Sequence, residues 1–154
     1  MLVTQKMQYA LRAIYELARH YDTGPLKTAQ IAETQAIPVR FLEVILNHLK
    51  RADLVAAKRG YYGGYQLARP PEHITVEDVF QGIGEATEPF ACVSCASQCS
   101  CPFYGDCAFM PLWDELQRAI EAICKRTTIR MLLDNRQSAV PIRKAMGMDQ
   151  TAGE

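Results

Sequence analysis

The sequence has no long apolar run. Its longest uncharged stretch, residues 89–105, is 17 residues of mostly Cys, Ser, Pro and small side chains, against the roughly 20 apolar residues a membrane helix needs. Met1-Leu2-Val3-Thr4-Gln5-Lys6 lacks the apolar core of a secretory signal, which predicts a cytoplasmic protein with no membrane partner. Glycine and proline are scarce, at 9 and 8 of 154 residues, which excludes collagen-like and low-complexity chains. Catalytic patterns are missing too. There is no glycine-rich phosphate loop and no pair of carboxylates poised for acid–base work, and His20, His48 and His73 are scattered, so neither an enzyme nor a small-molecule substrate is expected. What is present is ordinary globular material, 49% hydrophobic and 22% charged, enough for one domain or one domain with an appendage.

Net charge is also missing, with 17 Lys and Arg against 17 Asp and Glu, but the balance conceals a division along the chain. Residues 1–75 hold ten basic and six acidic side chains, and residues 76–154 hold seven and eleven. Between positions 40 and 69, Arg40, Lys50, Arg51, Lys58, Arg59 and Arg69 face only Glu43 and Asp53. Positive charge therefore concentrates where a polyanion could use it, the plainer alternative being a solvated charged face.

Periodicity places the elements. From Lys6 to Tyr21 the residues Met7, Ala10, Leu11, Ile14, Leu17 and Ala18 recur at helical spacing, with Thr4 positioned to cap. Thr28 is placed to cap a short helix carrying Ile31 and Ala32. A turn near Gln35–Pro38 follows, and then a second helix with Phe41, Leu42, Ile45, Leu46 and Leu49. Two helices joined this tightly read as a helix-turn-helix. The period then changes to two on either side of Gly60-Tyr61-Tyr62-Gly63-Gly64, which predicts a β-hairpin, or wing. Thr75–Ile83 reads as another short helix. Pro111 suits the first turn of a long helix whose stripe is Leu112, Leu116, Ala119, Ile120 and Ile123, and residues 127–133 add a further helical turn. So continuous a stripe predicts a symmetric homodimer. The expected fold is mainly α with a small β-hairpin. Its parts are a winged helix-turn-helix domain (1–85), a cysteine-rich loop (86–110), a dimerisation helix (111–135) and a loose tail (136–154).

Five of the six cysteines, Cys92, Cys95, Cys99, Cys101 and Cys107, fall within sixteen residues. Without a secretory signal, metal or redox chemistry is a better reading than a disulfide framework. Cys95, Cys101 and Cys107 are separated by regular six-residue steps, and three thiolates so spaced can wrap a soft metal centre, an iron–sulfur cluster or zinc. Spacing alone does not choose between these. Cys124 sits apart at an apolar helix position and reads as core.

These motifs together resemble the Rrf-two family of bacterial winged-helix regulators, over about residues 1–135. The resemblance lies in Thr4-x-Lys6-x-x-Tyr9-Ala10, Ile31-Ala32-x-x-x-x-Ile37, Phe41-Leu42-Glu43 and Leu54-Val55. The wing Arg59-Gly60-x-x-Gly63-Gly64-Tyr65-x-Leu67-Ala68 and the junction Cys107-x4-Leu112-Trp113 complete it. It implies a dimeric regulator of transcription on double-stranded operator DNA, with Cys95, Cys101 and Cys107 holding a 2Fe-2S or 4Fe-4S cluster that senses iron–sulfur status, redox state or nitric oxide. Two departures stand out. The IscR-like branch has a histidine where this chain has Met110, and the NsrR-like branch has an acidic residue near the position of Gln8; Cys92 and Cys99 are extra thiols at the loop, either of which could serve as the fourth metal ligand or as a resolving thiol.

The residue chemistry agrees with a DNA partner. Arg40 suits guanine and Glu43 suits cytosine N4 from the recognition helix, beside Phe41. Arg59, next to Gly60 at the wing tip, suits a narrow minor groove. Lys50, Arg51 and Lys58 suit phosphate, with helix-end charges the alternative for the first two. Two other readings remain open: a zinc site or dithiol switch in place of the cluster, and a small iron–sulfur redox protein.

Overall fold

The computed structural model describes residues 3–85 and 106–137. Helices α1 (Gln5–Arg19), α2 (Thr28–Gln35) and α3 (Val39–Arg51) lead into an antiparallel pair, β1 (Val55–Lys58) and β2 (Gly64–Leu67). A single 3-10 turn (Pro71–His73) and α4 (Val76–Gly82) follow, and after the cysteine-rich stretch come α5 (Met110–Arg126) and α6 (Ile129–Gln137). This is a winged helix-turn-helix with two further helices, as the periodicities predict.

Local chemistry sets most of the boundaries. Thr4 caps α1 by accepting from the Met7 N–H at 3.1 Å, which satisfies one of the four donors a helix start leaves open. Thr28 does not cap α2, contrary to expectation. It is the helix's first residue, the cap is Lys27, and Gln30 reaches back to accept the Lys27 N–H at 2.8 Å. Ala36 closes α2 in the left-handed region (φ 50°) and makes the tight turn into α3. α3 starts at Val39 directly after Pro38, so Arg40 and Phe41 belong to its first turn. Thr75 and Asp78 form a reciprocal capping box on α4 (3.1 and 2.9 Å), and Asp78 also holds Arg69 at 3.1 Å, tying the exit of the wing to that helix.

The core forms around α1, whose Ala10, Ala13, Ile14 and Leu17 are buried against Ile31 of α2, Leu42, Leu46 and Leu49 of α3, and Val79 of α4. The two small alanines let neighbouring helices approach closely. β1 and β2 pair Val55 with Leu67 and Lys58 with Gly64, and Leu26 extends the sheet by bonding Tyr65 in both directions at 2.8 Å. The C-terminal segment differs from a single helix with an added turn: α5 ends at Arg126 with Thr127 as its cap, and α6 is a separate helix packed on α1. Two bonds lock this junction to the winged domain, Val76 N–H to the Thr127 carbonyl (2.9 Å) and Ile129 N–H to the Ile74 carbonyl (2.8 Å). Ile129 and Cys124 thereby join the core. The loose tail expected from residue 136 lies, from 138 onward, outside the described residues.

Candidate nucleic-acid interface

α3 is amphipathic, and its two faces divide cleanly. Leu42, Ile45, Leu46 and Leu49 face the core, while Arg40, Glu43, Val44, Asn47, Lys50 and Arg51 form one exposed strip along the opposite side. Phe41 flanks that strip, 62% exposed, and with Val44 and Ile45 it walls a groove whose other side is Thr4, Gln5, Lys6 and Tyr9. The sequence reading placed Arg40, Phe41, Glu43, Lys50 and Arg51 here. It missed Val44 and Asn47, although both lie at i+3 and i+4 positions from the residues it named.

The wing projects from the end of α3. Lys58 closes β1, and Arg59 and Gly60 begin the turn, all three exposed. The turn is closed by the Gly63 N–H bonding the Gly60 carbonyl at 2.9 Å. A Cβ at Gly63 would lie 2.8 Å from that carbonyl oxygen and 2.9 Å from the Arg59 carbonyl carbon, so only glycine fits. Tyr61 and Tyr62 stand out from the tip, 82% and 85% exposed, packed edge to face at 5.0 Å. The Lys27 ammonium lies 5.3 Å from the Tyr61 ring centre, so the wing tip carries a third cation from the start of α2.

Ion pairing separates this surface from much of the rest. Lys6, Arg19, Arg69, Arg118 and Lys125 each pair with a carboxylate, at 3.1–3.6 Å except for Arg118 at 2.7 Å. Arg40, Lys50, Arg51, Lys58 and Arg59 have no carboxylate partner among the described residues, a state that Arg12, Lys27, Arg126 and Arg130 share. Five uncompensated cations on one helix face and the adjoining wing make a positive surface fitted to a polyanion.

Of the cysteine cluster, Cys92, Cys95, Cys99 and Cys101 lie outside the described residues. Cys107 is half-buried, and its carbonyl accepts the Met110 N–H at 3.1 Å in the turn that opens α5. Among the described residues no three His, Cys, Asp or Glu side chains converge as a metal site. Gln8 is exposed on α1. The loop departs from α4 beside two other elements. Glu85 accepts from Thr4 (3.3 Å) and pairs with Lys6 (3.5 Å), and Lys6 also bonds the Ile83 carbonyl. Gly82 abuts the end of α3, where a Cβ would meet Leu54 Cδ1 at 2.9 Å and the Ala52 Cβ at 3.0 Å.

α5 presents two different apolar strips. Trp113, Gln117, Ile120 and Cys124 turn inward, with Gln117 and Cys124 buried, and the helix packs on α4. Leu112, Leu116, Ala119 and Ile123 turn outward; Leu112 is 48% and Ile123 50% exposed. Of the expected continuous stripe, Ile120 belongs to the inner side. Burial, and next the charge of Glu77, pushes the Cys124 thiol pKa up, as befits a packed thiol. Among the described residues no helix is long and apolar enough to cross a membrane.

Comparisons with known proteins agree with this geometry. The chain is 31% identical to the HTH-type transcriptional regulator IscR of Sodalis glossinidius, over 89% of this chain and 81% of that protein. The solved structure of T. potens IscR superposes with a TM-score of 0.74 at 27% identity, covering 96% of both chains. CymR, the global cysteine regulator of B. subtilis, matches with a TM-score of 0.72 at 27% identity, covering 88% of this chain and 98% of that one. A family model described as an iron-dependent transcriptional regulator matches residues 3–135. With its helix-turn-helix, its wing and relatives that regulate transcription rather than catalyse, the chain belongs to the Rrf2 family of DNA-binding transcriptional regulators.

Proposed function

We propose that the protein is a cytoplasmic homodimer that binds double-stranded operator DNA through α3 and the wing, and that its affinity is set by a cysteine-ligated iron–sulfur cluster. The observation that carries the DNA reading is the exposed strip from Arg40 to Arg51 continued by Lys58 and Arg59, whose five cations have no carboxylate partner among the described residues. In it Arg40 and Glu43 meet base edges, Arg59 enters the minor groove, and Lys50, Arg51 and Lys58 contact phosphate. The outward strip of α5 supports the dimer: four apolar side chains on one helix face match a second copy of themselves about a two-fold axis.

Cys95, Cys101 and Cys107 would hold the cluster, since thiolates are its ordinary ligands and the three occur at equal steps. When bound, the cluster supplies a centre whose presence and oxidation state follow iron and redox conditions. The winged domain can feel that change because the loop leaves α4 where Gly82 touches the end of α3 and Glu85 holds the start of α1. Gain or loss of the cluster would then act on the recognition helix through these contacts.

A second reading, in which the loop binds zinc or switches through thiol and disulfide, is favoured by two observations. One structural neighbour is a cysteine regulator. Also, Met110 and Gln8 stand where the family's two branches have a fourth ligand. Anaerobic purification with a visible spectrum and iron, zinc and sulfide analysis decides between them. Iron and acid-labile sulfide in near-equal amounts support the cluster. Protein that stays colourless after reconstitution, with zinc bound or with thiols that form a reversible disulfide, supports the second reading.

A further inference from the structure

We infer that Val44 is a specificity residue that packs on the 5-methyl group of a thymine in the major groove. The inference rests on the DNA-binding reading above and deepens it. α3 completes its buried stripe with Leu42, Ile45, Leu46 and Leu49, and Val44 stands outside that stripe, beside Phe41 at the lip of the groove that Tyr9 also lines. Val44 is 54% exposed at the middle of the outward strip, four residues after Arg40 and three before Asn47. A β-branched residue there gains nothing in helix propensity. One lone exposed valine is unremarkable. One between Arg40 and Asn47, on the helix that faces the polyanion, carries the exposed apolar surface of Phe41 over to the side chains that read bases.

The major-groove edge of DNA offers one apolar group, the thymine methyl, amid donors and acceptors, and small apolar side chains are its natural partners. Helix rise sets the distance. Four residues advance about 6 Å along α3, close to two base-pair steps of about 3.4 Å. The thymine therefore lies within about two base pairs of the pair that Arg40 contacts. Asn47, one turn further along, is suited to an adenine nearby.

The test first selects binding sites for the purified full-length protein from a random-sequence duplex library. Each thymine of the selected duplex is then replaced singly by deoxyuridine, which deletes only the methyl group. The expected result is one thymine per half-site whose replacement weakens binding about fourfold, the equivalent of about 0.8 kcal/mol for one buried methyl. Val44→Ala should bind the thymine and uracil duplexes equally, at about the affinity of the wild type for the uracil duplex. The deoxyuridine series on the wild-type protein needs no variant to fold. If no thymine is sensitive, or if Val44→Ala retains the full uracil penalty, the assignment is wrong although DNA binding stands. If no duplex is enriched at all, the DNA-binding reading fails and this inference falls with it.

Discussion

The uncompensated cations make a quantitative prediction about salt. Lys50, Arg51 and Lys58 are exposed and have no carboxylate partner among the described residues, so none must break an ion pair to reach a phosphate. Three phosphate contacts per subunit are about six per dimer, and at about 0.9 per contact the slope of log affinity against log salt is about −5. Between 50 and 200 mM salt the affinity for any duplex should then fall by roughly 10³-fold. Lys58→Ala removes two of the six contacts and should flatten the slope by nearly two, while the ranking of good and poor sites stays as it was. Arg69→Ala is the control, because Arg69 is already held by Asp78 at 3.1 Å. Fluorescence anisotropy titrations at five or six salt concentrations measure both slopes. A wild-type slope shallower than about −2, or a Lys58→Ala slope equal to wild type, would refute the assignment of this face to phosphate.

Three further outcomes follow from the geometry. Gly63→Ala should distort the wing tip and weaken operator binding with little change in Tm, because a hairpin of two four-residue strands contributes little to global stability; nuclease footprints should lose protection at the outer minor grooves. Leu116→Glu places a charge within the outward strip of α5; sedimentation should show monomers, and operator affinity should fall by roughly 10²-fold or more as the two half-sites cease to be bound together. Cys124 should resist iodoacetamide in the folded protein and react once denaturant is added. Its raised pKa favours the folded state fully below the ordinary thiol range, and that contribution is lost as pH climbs through the folded value. The Tm of wild type should therefore fall relative to Cys124→Ala across that alkaline window.

Much of this molecule could be read from periodicity and punctuation. The buried stripes of α1 and α3, the Thr4 cap and the glycine-rich wing are local signals, each decided by neighbours within a few residues, and the structure reproduces them, except that Phe41 leaves the α3 stripe for the surface. What escaped depends on contacts between distant segments. Glu16 lies on α1 among apolar residues and is only 2% exposed, because Gln35, nineteen positions away, and Arg19 close over its carboxylate at 2.6 and 3.2 Å. Arg19 is one turn away, but nothing near Glu16 in the chain announces the bond from Gln35, which fixes the end of α2 against α1. The break at Thr127 is similar, since the backbone bonds that interrupt the helix run to Ile74 and Val76. Within the candidate interface, charge made Arg40, Lys50 and Arg51 visible, whereas Val44 and Asn47 carry no charge and became conspicuous only once the inward stripe of α3 was seen to be complete without them.

The central claim is that two copies of this chain place their α3 helices and wings on one duplex. A hydroxyl-radical footprint of the wild-type protein on its selected site tests it most directly. The account predicts two protected patches about one helical turn apart, symmetric about the site's centre, with further protection where the wings reach the flanking minor grooves. A single unsymmetric patch, or protection unchanged when Arg40 and Lys58 are both replaced by alanine, would contradict it.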